Sequence, residues 1–202
     1  MIAIIDYGVG NLFSLEASFK KIGAETVITS DPSVIMSSER VILPGVGACG
    51  DASDKLRQSG LMEVICDYVS TGKPIMGICL GMQLLFEYSE EFGHHEGLSL
   101  LNGGIVSMKG VVPTDYKIPQ IGWNKLKIVK DNPLFKYINN GDHVYFVHSY
   151  YAVNCDDSLL ASTEYGAEIT AAVAKDNVYG CQFHPEKSGE VGLNILRGFL
   201  EV

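Results

Sequence analysis

Residues 74–87 read Pro-Ile-Met-Gly-Ile-Cys-Leu-Gly-Met-Gln-Leu-Leu-Phe-Glu. The first five make a short apolar run of the kind a strand shows when both its faces are buried, and a helical run follows from Leu80. A strand that passes straight into a helix is the unit of an alternating α/β fold, and the residues before it repeat that unit. Strand-like runs at 2–6, 25–29 and 40–43 flank a helical pattern at 11–22 closed by Gly23. Helical stretches at 52–58 and 61–70 then lead back to residue 74. A parallel sheet covered by helices on both faces is expected for this half.

Further on the period changes to two, at 105–108, 122–129, 143–150, 159–165, 169–175 and 178–183. Asp176-Asn177 marks one tight turn, so antiparallel hairpins are expected there. A last helix, 190–201, has Val191, Leu193, Ile195, Leu196, Phe199 and Leu200 at helical spacing and should close the sheet. The expected class is α/β, a mostly parallel central sheet flanked by helices with added antiparallel strands in the second half. No repeat or composition break divides the chain, so residues 1–202 are expected to form a single domain.

The 202 residues carry 15 basic and 24 acidic side chains, a net charge of −9, with 47% hydrophobic and 19% charged residues. That is too much apolar material for a disordered chain, and size scaling lets about 70% of the surface be buried in one core. The negative excess repels phosphate backbones and acidic lipid surfaces, so neither nucleic acid nor membrane is an expected partner. The five cysteines, Cys49, Cys66, Cys79, Cys155 and Cys181, are odd in number and form no C-x-x-C pair. They suggest neither a disulfide framework nor a zinc site, and fit a reducing, cytoplasmic setting. The start reaches Asp6 with no basic stretch, unlike a signal peptide, and the longest apolar run, 74–86, is broken by Gln83 and by glycines. The 22 glycines, about 11% of the chain against a usual ~7%, sit in short clusters, and the chemistry is sought there.

Gly77-Ile-Cys79-Leu-Gly81 has the form of a nucleophile elbow, in which the attacking residue sits on a tight strand-to-helix turn and flanking glycines avoid a Cβ collision. A thiol at a helix N-terminus faces the positive end of the helix dipole, which supports the thiolate. The same pentapeptide also fits a small core cysteine with glycines for close packing. Gln182-Phe-His184-Pro-Glu186 follows a later strand pattern. On an extended segment residues two apart share a side, so His184 could act as base with Glu186 orienting its ring. Alone the tripeptide is an ordinary strand end; together the two signals make a generalised triad in the order Cys, His, Glu. Pro44-Gly-Val-Gly47 could complete an oxyanion hole with the N–H of Leu80, or be a plain turn. His94-His95 lack ligand spacing and read as solvated loop histidines, so no metal and no cofactor is expected.

Gly77-Ile-Cys-Leu-Gly-Met-Gln83 with Phe183-His-Pro-Glu186 resembles the class I (triad) glutamine amidotransferase family, and the similarity runs over the whole chain. The blocks Ile5-Asp-Tyr-Gly-Val-Gly-Asn11, Leu43-Pro-Gly-Val-Gly47, Leu84-Leu-Phe-Glu87 with Ser89-Glu-Glu91, Ile121-Gly-Trp-Asn124, Phe146-Val-His-Ser-Tyr150 and His184-Pro-Glu-Lys-Ser188 resemble its branch of glutaminase subunits serving imidazole glycerol phosphate synthase. That branch usually has a histidine where this chain has Gln120.

The resemblance implies that Cys79 attacks the side-chain amide of glutamine, His184 hands the proton to departing ammonia and Glu186 holds the imidazole. It implies oxyanion donors at Val46 or Gly47 and Leu80, and a grip on the amino-acid end of glutamine by Gln83, Glu91, Ser149 and Tyr150, with Glu91 against the ammonium. It further implies a heterodimer with a (β/α)8-barrel cyclase that receives the ammonia and makes imidazole glycerol phosphate and AICAR in histidine biosynthesis. Asn11, Trp123, Tyr145 and Lys187 would face that partner. The branch is idle until its partner is bound, which implies an oxyanion loop at Pro44 to Gly47 that must rearrange. At 202 residues a glutaminase leaves no room for a synthase domain, so the acceptor is expected on a second chain. A glutaminase for another acceptor, a glutamine-sensing subunit without turnover and a stand-alone cysteine hydrolase remain as alternatives at this stage.

Overall fold

The computed structural model describes residues 1–202. The chain runs β1 (Ile2–Ile5), α1 (Leu12–Lys21), β2 (Thr26–Thr29), α2 (Pro32–Ser37), β3 (Arg40–Leu43), α3 (Cys49–Gln58), α4 (Leu61–Ser70), β4 (Ile75–Ile78) and α5 (Leu80–Gln83). Short strands β5 (Tyr88–Ser89), β6 (His95–Glu96) and β7 (Gly104–Ser107) follow, then β8 (Gln120–Lys125), β9 (Lys127–Ile128), β10 (His143–His148) and β11 (Tyr150–Val153). The chain ends with β12 (Leu159–Glu164), β13 (Glu168–Lys175), β14 (Val178–Cys181) and α6 (Gly189–Phe199).

The main sheet has the order β2-β1-β3-β4-β14-β13-β12-β9. Its first five strands are parallel, and β13, β12 and β9 extend it antiparallel. Two smaller sheets, β10-β8 and β11-β7-β5-β6, stand beside it. The mostly parallel sheet flanked by helices, with antiparallel strands from the second half, is the arrangement that the periodicities predict.

The unbroken apolar strands have a simple cause. Ala3 and Ile5 of β1 enter one core with Val41, Leu43 and Ile75, and that core packs on Leu56, Leu61, Ile65 and Tyr68 of α3 and α4. Ile2 and Ile4 face the other way, with Ile42, Met76 and Ile78, onto Leu15 and Phe19 of α1 and Ile195, Leu196 and Phe199 of α6. Each strand therefore buries both faces, and alternation has no polar side to display. Full burial of side chains such as Phe19 and Phe199 contributes roughly 1.5–3 kcal/mol each.

Several boundaries differ from expectation. The helical run from Leu80 to Glu87 stops at Gln83, because the carbonyls of Leu84, Leu85 and Phe86 accept from Leu98, Leu100, Leu101 and Ser99 instead of from a next helical turn. Its apolar residues are all buried, so they record burial, not helical period. The runs 122–129 and 143–150 each break into strands of two different sheets, at Leu126 and at Ser149. The loop expected around His94-His95 is bounded by β5 and takes in β6; His94 is exposed, as expected, while His95 is half-buried. His94 stacks on Tyr88 with ring centroids 5.4 Å apart, and the His95 ring fills the space a Cβ on Gly50 would need. Helix α2 had no counterpart in the sequence reading, although Asp31 caps it by accepting from the Ser33 N–H at 2.8 Å and Pro32 opens it.

Candidate active site

Strand β4 delivers the chain to Cys79 at the N-terminus of α5, where φ is 55° and ψ is −111°. A non-glycine residue held there stores roughly 1–3 kcal/mol of strain, so the surroundings must impose it. They do so through glycine. A Cβ on Gly77 would lie 2.5 Å from the Gly81 oxygen, and one on Gly81 would lie 1.8 Å from the Leu43 oxygen. The turn is thus packed backbone against backbone, which only residues without a Cβ allow. The Cys79 N–H donates to Cys181 O at 2.7 Å, which ties the elbow to the end of β14.

That tie places His184. In the parallel register Cys181 lies beside Ile78, so the residues after β14 pass alongside those after β4. His184 is 3% exposed, and its Nδ1 meets Glu186 Oε1 at 2.7 Å. The carboxylate only accepts when ionised, so Nδ1 carries the hydrogen and Nε2 is left to interact with Cys79. Burial pulls the His184 ring toward neutrality, but hydrogen bonds to Cys79 and Glu186 outweigh it and raise the imidazole to about 9.

The expected route from His184 to Glu186 along an extended segment is corrected here. Pro185–Lys187 is a 3-10 turn, opened by Pro185 with its restricted φ, and Glu186 reaches the ring around that turn. The Glu186 side chain is 2% exposed and its Oε2 has no partner, so the histidine is its sole hydrogen-bond partner. Ser188 fastens the turn: its hydroxyl donates to His184 O at 2.7 Å and accepts from the Tyr145 N–H at 2.9 Å.

Cys79 and His184 open onto a cleft of about 260 Å³, whose walls include Val46, Gly47, Leu80, Gln83, Glu91, Ser149 and Tyr150. At that volume it falls below the roughly 300–1,000 Å³ of sites for larger ligands and suits an amino-acid-sized molecule. Gln83 Nε2 donates to Tyr150 O at 3.2 Å and to Gln182 Oε1 at 3.0 Å. Glu91 Oε2 accepts from the Cys49 N–H at 2.8 Å, at the positive N-terminal end of α3. Val46 is exposed, and Gly47 has φ +94°.

Of the residues expected to face a partner, three come together. The Trp123 and Tyr145 rings meet edge to face at 5.8 Å, and Lys187 Nζ stands 5.8 Å from the Tyr145 centroid. Lys187 also lines the cleft, and exposed Asn11 stands just before α1, which packs against the 185–187 turn.

Four residues near the site had no role in the sequence reading. His148 is a cleft wall whose Nδ1 meets Tyr150 O at 2.8 Å; burial, with the His184 charge beside it, lowers it to about 4, so it is neutral near pH 7. Gln120 is fully buried with its amide between His148 and Asn124. Tyr7, whose phenol burial pushes up, donates to Pro44 O at 2.7 Å. Gln182 is fully buried behind Cys79. Only the i, i+2 spacing of Gln182 and His184 signalled any of these.

Residues 3–202 match the family model described as glutamine amidotransferase class-I. A protein of Caldanaerobacter subterraneus named imidazole glycerol phosphate synthase subunit HisH is 54% identical over 203 residues, covering 100% of this chain and 98% of its own. Proteins of the same name from Syntrophotalea carbinolica and a Geobacillus species are 48% and 49% identical, over 98% and 100% of this chain and 98% and 97% of theirs. A crystal structure described as a glutamine amidotransferase superposes with TM-score 0.78 at 16% identity, covering 100% of this chain and 98% of that one. The structure of PurLQS from Thermotoga maritima gives 0.76 at 21%, covering 99% and 97%.

Proposed function

The chain belongs to the glutamine amidotransferase class-I family, and from that membership, its full-length similarity to the synthase subunits and the geometry of the cleft we infer that it is the glutaminase subunit of an imidazole glycerol phosphate synthase in histidine biosynthesis. The observation that carries this reading is the packed elbow holding Cys79 beside an imidazole whose Nδ1 is held by Glu186.

Glutamine enters the cleft with its side-chain amide against Cys79. The sulfur attacks the amide carbon, and the N–H of Leu80 with that of Val46 or Gly47 receives the developing oxyanion. His184, protonated at Nε2, gives that proton to the nitrogen as the C–N bond breaks, and ammonia leaves. Glu186 keeps the ring in this orientation. A γ-glutamyl thioester remains on Cys79; water attacks it, His184 takes the proton, and glutamate departs. Gln83, Ser149 and Tyr150 hold the amino-acid end of the substrate, with Glu91 against its ammonium. His148, neutral near pH 7, adds no second positive charge beside His184.

Released ammonia is wasted unless an acceptor takes it up, and the partner is a cyclase subunit, a (β/α)8 barrel docked over Asn11, Trp123, Tyr145 and Lys187. The turn at Pro44 to Gly47 rearranges when that partner is engaged. Glutamate formation should appear when the chain is mixed with a cyclase subunit of such a synthase and stay low for the chain alone. Equal rates with and without partner would refute the gating. Cys79→Ala should reduce the complex's activity about 10⁶-fold, as removal of a triad nucleophile does.

A further inference from the structure

Gln182 lies between the nucleophile and a wall of the cleft, fully buried, and its side-chain orientation follows from donor and acceptor counting. The Tyr150 carbonyl can only accept, so the Gln83 NH2 group must face it, as it does at 3.2 Å. The second hydrogen of that NH2 then points to Gln182, which must present its oxygen, at 3.0 Å. With its oxygen committed there, Gln182 turns its own NH2 toward Cys79, where Nε2 lies 3.8 Å from Sγ. Its backbone N–H donates to Ala171 O at 2.9 Å and pins the residue to β13. One fixed carbonyl thereby orients two amides in series. The series leaves the Gln83 oxygen as the end free to meet an N–H donor, and aims a neutral donor at the sulfur.

We propose that Gln182 is a positioning residue for glutamine hydrolysis, its amide nitrogen supporting the Cys79 sulfur as an acceptor and its amide oxygen holding Gln83 in the orientation that receives the substrate. The proposal rests on the glutaminase reading. The sulfur then faces two donors, the His184 ring and the Gln182 amide, and the second does not change with protonation state. The titratable groups around that sulfur are His184 with Glu186 behind it, the Tyr7 hydroxyl, and across the cleft His148, Glu91 and Lys187.

The test uses Gln182→Leu, which removes both contacts, and Gln182→Glu, which keeps the shape, can still accept from Gln83 and has no donor for the sulfur once its carboxyl is ionised. Iodoacetamide alkylation of Cys79, resolved from the other four cysteines by peptide mass, is followed against pH in the full chain without glutamine. The pH midpoint should rise in both variants, in Gln182→Glu over the range in which its carboxyl is ionised. In the complex with a cyclase subunit, Gln182→Glu should lower kcat with KM for glutamine changed less than about twofold. Gln182→Leu should raise KM about tenfold as well, the ratio expected from one lost hydrogen bond to a buried group. Near-UV circular dichroism checks that each variant folds, and Gln182→Leu carries the test if the buried carboxylate prevents folding. An alkylation midpoint unchanged in the folded variants overturns the role toward the sulfur, and an unchanged KM in Gln182→Leu overturns the role toward Gln83. If the wild-type complex failed to hydrolyse glutamine, the glutaminase reading would fall while the alkylation midpoints still judged the contact itself.

Discussion

A Cβ added at Gly81 would lie 1.8 Å from the Leu43 carbonyl oxygen, whereas one added at Gly47, on the turn facing it across the cleft, would meet nothing within 4 Å. The nucleophile turn is over-determined. Gly77, Gly81 and the Cys79 N–H are each held against backbone, and the strained φ of Cys79 has no room to relax. The facing turn is held at its two ends but not between them, since the Cys49 N–H just beyond it donates to Glu91 Oε2 at 2.8 Å. Tyr7 fixes the Pro44 carbonyl, and Gly45 packs so closely that a Cβ there would be 2.8 Å from Gly81 N. Beyond Gly45, Val46 is 44% exposed and the conformation of Gly47 rests on its own torsions. In the proposed reading Cys79 and His184 thus stand ready as nucleophile and base, while the middle of the loop that would supply an oxyanion donor has little packed against it.

The sharpest way to break this contrast is Gly81→Ala. Its Cβ collides with backbone and not with a flexible side chain, so the urea midpoint should fall by the equivalent of about 4 kcal/mol or more, or the chain should not fold. A variant as stable as wild type would show that the elbow is not packed as described. Next is Tyr7→Phe, which leaves the buried Pro44 carbonyl without its donor and should destabilise by about 1–3 kcal/mol in the same measurement. Gly47→Ala should have a smaller effect on stability, about 1 kcal/mol, because only its positive φ resists. Its glutaminase rate in the complex should nonetheless fall, since the turn could no longer move freely through that torsion. A stability loss matching that of Gly81→Ala would erase the distinction between the two turns.

The smallest effect expected is one of pH. The folded His184 is raised to about 9 from 6.5, so its contribution to stability is complete below pH 6.5 and is lost as pH rises through about 9. The same group should set the alkaline limb of kcat/KM near pH 9, because the ring must carry the proton it gives to ammonia. A limb near 6.5 would mean that Cys79 and Glu186 do not hold the imidazole as described.

Much of the nucleophile half was legible because its signals are local. The apolar run at 74–78, the helix start at Leu80 and the glycines two residues either side of Cys79 lie within a few residues of one another, and the steric demand they meet is itself local. The base half was legible in residue types but not in shape. Pro185 read as a strand end, while the chain makes a 3-10 turn that carries Glu186 back to His184. Gln120 and Tyr7 left no signal in the sequence and Gln182 only its spacing from His184, since each meets a partner 28 or more positions away along the chain.

The sequence by itself determined the alternation of elements, the change of period in the second half, the elbow and the residue types of a triad, because periodicity and glycine sterics are properties of neighbouring residues. Only the tertiary structure decided that β14 pairs with β4 in the register that sets Cys181 beside Ile78, and so brings His184 to Cys79 across more than a hundred residues of chain. It also decided that one backbone carbonyl, Tyr150 O, orients Gln83 and through it Gln182. Strand register and buried donor–acceptor pairing are settled by what lies alongside in space, and sequence spacing carries no record of that.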